Sequence, residues 1–308
     1  MDKAEEFTKA DFEPLAKVQE QAAAQQRPAL GFWRDAWLRL CKNKVAMGGL
    51  CVIIFFIVIA ALGPVFSAHT YDEQNLMMTN QPPSWEHWFG TDNLGRDIFI
   101  RVLYGARISL AIGVVASLIN LCIGVVYGGI AGFVGGRTDR IMMNIVDVLY
   151  SVPTLLYVIL LMVVMKPGLM NIFIALGIAY WLQMARIVRG QILAIKQQEF
   201  VLAARTIGAS RFRILLRHLI PNAMGAIVVT MTLAIPDAIF TEAFLSFIGL
   251  GVSAPMASWG VLASEGVNNL RAYPFQLFFP AAAISITMLA FNFLGDGLRD
   301  VLDPKMRR

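Results

Sequence analysis

Charge is scarce in this chain. Asp, Glu, Lys and Arg make up 15% of 308 residues, 57% are hydrophobic, and the mean hydropathy is +0.62. That balance excludes a water-soluble globule and indicates an integral membrane protein. Cysteine is scarcer still: Cys41 stands beside the first apolar run, Cys51 and Cys122 lie inside runs, and no CxxC or Cys/His ligand spacing occurs. No disulfide framework or zinc module is therefore indicated. His69, His87 and His218 are too widely scattered for a metal motif, and no nucleophile-plus-base string is present, so neither a metal site nor a catalytic residue is expected. No glycine-rich string ends in GK[ST], so any ATP must be bound by a partner. The net charge of +5 comes from basic residues spread among loops, without the aromatic-interleaved patch of a nucleic-acid binder. A short basic start with an early apolar core is also missing, so no signal peptide is expected and the first span should be retained.

What is present is a series of long apolar runs. Residues 1–31 have no sustained apolar period and read as a polar tail. Over 32–44, Trp33, Trp37 and Leu40 share a face away from Arg34, Asp35, Arg39 and Lys42, as in a helix lying in the headgroup plane. The first span is 45–66, long enough for a hydrocarbon core that needs about 20 residues. Residues 67–104 are polar, aromatic and turn-rich, an exposed loop. Asp92, Asn93 and Asp97 in that loop lack the ligand spacing of an EF-hand, so calcium is not indicated. A five-helix core follows over 105–297, with spans near 108–133, 141–164, 170–186, 222–247 and 275–294, and with a tail at 298–308. Pro153 breaks the third of the six spans. Gly124, Gly128, Gly132 and Gly136 recur every four residues, a small-residue face that lets a helix approach closely. Asp147, Asp237 and Glu242 lie within apolar runs, where a charge costs roughly 2.5–3.5 kcal/mol. They line a pathway, or each pairs with a neighbouring helix; the residues alone leave both open.

The segment 196–221 differs from its surroundings in being dense in charge. Phe200, Ala203, Ala204 and Ile207, then Phe212, Leu215, Leu216 and Leu219, follow the i, i+3, i+4, i+7 rule, which predicts two short amphipathic helices. Gly208 suits the left-handed residue after the first helix, Ser210 the N-cap of the second, and Pro221 the first turn of a third, so the chain turns at Gly208-Ala209-Ser210. Arg211, Arg213 and Arg217 decorate the second helix. Ala203-Ala204, Gly208 and Ile220-Pro221 resemble the EAA loop of membrane subunits of ATP-binding-cassette importers, with Leu202 where that motif has glutamate and His218 where it has an apolar residue. FGTDNLGRD at 89–97, WLQMARIVRGQ at 181–191, EAFLSFIGLG at 242–251 with Ser258-Trp259-Gly260, and GDGLRDVLDP at 295–304 resemble the peptide-importer branch, its oligopeptide C-type subunit above all.

The resemblance implies an all-α integral membrane protein of six transmembrane helices with the type I importer permease fold. It also implies that Ala203, Ala204, Gly208, Ala209, Ser210, Arg211, Phe212 and Pro221 form a loop docking into an ATPase. The partners it implies are a homologous B-type permease subunit, two ATPase subunits that hold ATP and magnesium, and an extracytoplasmic peptide-binding protein; this chain would bind no cofactor itself. The substrate class would be oligopeptides, with dipeptides, glutathione or nickel carried by close relatives. Most of the 26 basic residues lie on the side of the two tails and the 196–221 segment, which predicts cytoplasmic termini; the membrane that the resemblance implies is the bacterial inner membrane. A channel or proton-coupled transporter would account only for the spans and buried acids, and a membrane enzyme for less.

Overall fold

A computed structural model describes residues 31–67, 69–253 and 255–302. Most of the two polar tails thus lies outside the described residues. Residues 31–39 form a unit of their own, carrying nearly all of helix α1 (Phe32–Leu40), in which Asp35 and Arg39 pair at 2.9 Å across one turn. The helix is shorter than the predicted 32–44. Asn43 ends that stretch by capping α2 (Lys44–Phe66), its side chain accepting the Val45 and Ala46 N–H groups at 3.1 Å.

The remaining elements are α3 (Ile98–Val134), α4 (Gly136–Tyr150), α5 (Thr154–Met165), α6 (Leu169–Ile195), α7 (Glu199–Thr206), α8 (Arg211–Phe247), α9 (Trp259–Asn268) and α10 (Phe275–Leu302). Among the described residues there is no strand, only an isolated bridge between Thr91 and Asp97. Helices α2, α3, α6, α8 and α10 are each long and apolar enough to cross a membrane. The predicted third span is a pair instead, α4 and α5, bent by 79° at Ser151-Val152-Pro153. Proline lacks the N–H that would continue α4 and bars the preceding residue from helical geometry. At about 1.5 Å per residue neither half reaches across a core about 30 Å thick.

Packing register shows that the pair nonetheless makes one crossing. A Cβ on Gly177 of α6 would meet Ile119 of α3; one on Gly124 would meet Met184, one on Gly128 the carbonyl of Ala185, and one on Gly132 the carbonyl of Arg189. Both residue numbers rise together, so α3 and α6 run parallel, and the chain between them returns once across the layer. Six crossings result, as the sequence predicts.

The same close contacts explain the glycine spacing. Gly124, Gly128 and Gly132 are buried where α3 meets α6, the most extensive helix pairing among the described residues. Apolar side chains gain little from leaving lipid for protein, so such pairs are held by close van der Waals packing, which small residues permit. Gly136 does not belong to this face, contrary to the four-residue spacing. It follows the end of α3, adopts φ +61 and has open space where a Cβ would be. The second span also begins earlier than predicted, because α3 starts at Ile98; its N-terminal turns are buried under the 67–97 loop, which is correspondingly shorter.

That loop is folded, not merely exposed. Tyr71 stacks on Tyr104 and Phe89 on Phe279, each pair at 3.8 Å. Asp97 caps α3 by accepting the Ile100 N–H at 2.9 Å. Asp92 holds Arg96 at 2.6 Å and Arg101 at 2.5 Å, and Arg101 reaches Glu265 of α9 at 2.6 Å. Asp92, singled out in the sequence with Asn93 and Asp97, spends its carboxylate on these two arginines.

Glycine substitutions separate packing from helix propensity. Ala exceeds Gly in helix propensity by about 1 kcal/mol, so Gly190→Ala, on α6 with nothing within 4 Å of a new Cβ, should leave thermal unfolding in detergent unchanged or raise it. Gly128→Ala should lower it, because its Cβ would lie 2.2 Å from the Ala185 carbonyl. Equal effects of the two would contradict the register.

Candidate functional site

The charged segment between α6 and α8 forms a helical hairpin. Helix α7 ends in the reciprocal pattern of a Schellman motif: the Ala209 N–H donates to Ala204 O and the Gly208 N–H to Arg205 O, both at 3.0 Å. Gly208 supplies the left-handed residue at φ +82. Ser210 then caps the next helix, its hydroxyl accepting the Arg213 N–H at 3.3 Å. The turn is as the sequence predicts. Pro221 stands in the first turn of the helical stretch Ile220–Phe247, as predicted, although no loop sets that stretch apart and α8 runs on from Arg211 to Phe247. A π-helical turn at Leu215–Leu219 precedes it, in which the Ile220 N–H reaches back to Leu215 O. The wider turn relieves the ring's clash with the preceding carbonyls, so a proline is accommodated without a break.

One face of this hairpin is packed and the other is bare. Val201, Ala204, Ile214, Leu215 and Leu219 are buried against Ile192 and Ile195 of α6, with Ala209 partly buried beside them. The second-helix face is thus rotated from the prediction: Ile214 is inside, while Phe212 and Leu216 are outside. Ala203 is exposed as well, and Phe200, Leu202, Ile207 and Phe212 expose apolar surface, Ile207 by 84% and Phe212 by 72%. Arg205, Arg211, Arg213 and Arg217 stand exposed around them. Lys196 braces the base by donating to the carbonyls of Gly132 (3.3 Å) and Phe133 at the end of α3. Burial, with Arg205 nearby, lowers its ammonium below the usual lysine range.

The three acids in apolar runs fall into three different settings. Asp147 is exposed and paired with Arg186, whose guanidinium also lies 4.5 Å over the Tyr150 ring. Asp237 lines a cavity of about 230 Å³ with Tyr150, Thr154, Tyr180, Gln183 and Thr241. Glu242 is not among the residues that line this cavity. It is fully buried, accepting the hydroxyls of Ser246 (2.7 Å), Ser258 (2.6 Å) and Ser109 (3.4 Å). Ser258 in turn accepts the Val261 N–H and Ser109 the Trp259 N–H, so each serine spends its single hydrogen on the carboxylate. Glu242 thereby ties α8 to α3 and to the start of α9. Sequence reading missed this cluster because Ser109 and Ser258 are 149 positions apart.

Two histidines far apart in sequence also meet. The His69 and His87 rings lie 5.1 Å apart, and His87 Nδ1 is 2.8 Å from Asp97 Oδ2. Distance along the chain gave no signal of this contact.

Comparison with known proteins accounts for nearly the whole chain. Residues 124–308 match the family described as "binding-protein-dependent transport system inner membrane component", and residues 31–83 match the "N-terminal TM domain of oligopeptide transport permease C". The oligopeptide transport system permease protein OppC of Bacillus subtilis (strain 168) is 57% identical over 96% of this chain and 97% of its own. The dipeptide transport system permease protein DppC of the same organism is 58% identical over 94% and 90%. OppC of Escherichia coli (strain K12) is 41% identical over 98% and 99%. With its buried glycine seam, its crossings and its hairpin, this multi-pass inner membrane chain belongs to the family of binding-protein-dependent transport system inner membrane components.

Proposed function

We propose that the chain is the C-type permease subunit of an ATP-driven oligopeptide importer, and that the bare face of the α7–α8 hairpin is where a partner ATPase docks. The observation that carries the second point is the apolar exposure of Phe200, Leu202, Ile207 and Phe212 among four arginines. A solvated face has no use for such side chains, whereas a partner that covers them removes them from water. Oligopeptides are favoured by the family matched at residues 31–83 and by relatives named for oligopeptide transport. The relative named for dipeptide transport is as similar, so dipeptides are the second reading.

In this reading the hairpin end is cytoplasmic, in keeping with the basic residues gathered there, and both termini share that side. Two ATPase subunits bind ATP and magnesium; this chain holds no cofactor. A homologous B-type subunit completes the pathway, with Asp237 and Asp147 facing the space between the subunits. The loop on the opposite side receives the peptide-binding protein through its exposed Met77, Trp85 and Trp88.

The nucleotide-driven closure of the ATPases would pass through the Gly208 turn to the 37-residue α8, which begins three residues later. Gly208→Val introduces no clash, since nothing lies within 4 Å of its Cβ site. It forces a branched residue into left-handed geometry, at a cost of roughly 1–2 kcal/mol, and should realign α7 against α8. Membrane levels should stay near normal while ATP-driven uptake falls to background; full uptake at normal levels would refute the coupling role. The pathway is tested separately in a background without Cys41, Cys51 and Cys122, which are exposed. Asp237→Cys should react with a soluble thiol reagent in at least one nucleotide state and Glu242→Cys in none. Protection of position 237 in every state would remove it from the pathway.

A further inference from the structure

On the side opposite the hairpin, His69, His87 and Asp97 can each offer one donor atom such that all three lie within 4.8 Å of one another. We propose that they form a binding site for a divalent first-row transition cation of the zinc class, independent of the coupling surface.

Three features support the site. The donor set is two imidazole nitrogens and one carboxylate oxygen, which suits zinc and its neighbours and not the hard cations, which take oxygen ligands alone. The donors are held in place by their own backbones. The His87 N–H donates to Ser84 Oγ at 3.1 Å and its carbonyl accepts the Ser84 and Gly90 N–H groups, while the His69 N–H donates to Ser67 Oγ at 3.0 Å. Asp97 is fixed as the N-cap of α3 through Oδ1, which leaves Oδ2 turned toward His87. Finally, His87 and Asp97 are 6% and 5% exposed, so a charge placed between them is shielded from bulk water.

Tetrahedral coordination at about 2.0–2.1 Å spaces donors by roughly 3.3–3.4 Å. The loop around His69 would therefore close by on the order of 1 Å, and the ion would replace the proton that His87 and Asp97 share. A fourth position remains for water or an incoming ligand. The bound ion would join the segment after α2 to the first turn of α3, and so staple the base of the external loop.

Cobalt(II) is the probe, because its visible absorption reports coordination. The full-length subunit in its purified, EDTA-washed importer complex should take up one equivalent, with the absorption of a four- or five-coordinate ion, and zinc should displace it. His69→Phe keeps an aromatic ring against His87 and removes both nitrogens; Asp97→Asn keeps a capping oxygen for α3. Each should weaken binding by more than the ~10–100-fold that an outer-shell partner is worth, whereas His218→Phe should not weaken it. Zinc should also raise the thermal unfolding temperature of the wild type and of His218→Phe, but not of the two ligand variants. Absence of stoichiometric cobalt uptake by the wild type, or wild-type binding by His69→Phe, would overturn the site.

Discussion

A bilayer offers no hydrogen-bond partners, so each polar group within the spans must be answered by the protein or by water it admits. Much of this structure follows from that constraint. Pro64 cannot donate to the Ala60 carbonyl one turn earlier; Arg107 of α3 donates to it instead, and to Ala61 O at 2.6 Å, which fastens α2 to α3. Pro221 is absorbed by a π-helical turn. Glu242 is surrounded by three hydroxyls and Asp147 by a guanidinium. Among the described residues, the buried side-chain atoms left unanswered are Arg101 Nε, Ser117 Oγ, Asn120 Oδ1 and Thr287 Oγ1. Asp237 shows the other solution, a carboxylate beside a cavity roomy enough for water.

Glycine then decides how closely the answered helices can approach. On α3 the seam of Gly124, Gly128 and Gly132 brings α6 into backbone contact, and Gly49 does the same for α2 against Ala290 of α10. Elsewhere α2 presents Ile54, Phe55, Ile57, Val58 and Leu62 outward. An exposed apolar stripe on a spanning helix is the ordinary consequence of lipid as solvent. Exposed apolar residues beyond a span, ringed by arginines, are a different matter, and the hairpin is the place where they occur beside a left-handed glycine.

The crossings, the hairpin turn at Gly208 and the capping role of Ser210 were legible in the sequence because each rests on local rules: run length, left-handed geometry and side-chain capping. The rotation of the second hairpin face was not, since Ile214 and Leu216 satisfy helical periodicity about equally and only the position of α6 selects between them. The continuity of α8 across Pro221 was not foreseen, and Gly136 was misplaced, for a related reason. A π-helical turn leaves no mark in the sequence, and a four-residue spacing continues on paper past the point where the helix ends. Glu242, Arg101 and the His69–His87 contact depend on partners more than a helix away along the chain, which periodicity cannot report.

The central claim is that the bare hairpin face is covered by another protein in the working importer. Ile207, 84% exposed and adjacent to the turn, reports on it most directly. With a cysteine there in place of Ile207, and the native cysteines removed, the rate of modification by a soluble thiol reagent can be compared in the membrane subunits alone and in the assembly with the ATPase subunits. The account predicts rapid labelling in the first and strong protection in the second. Equal labelling in both would show that the face stays open to water, and would contradict it.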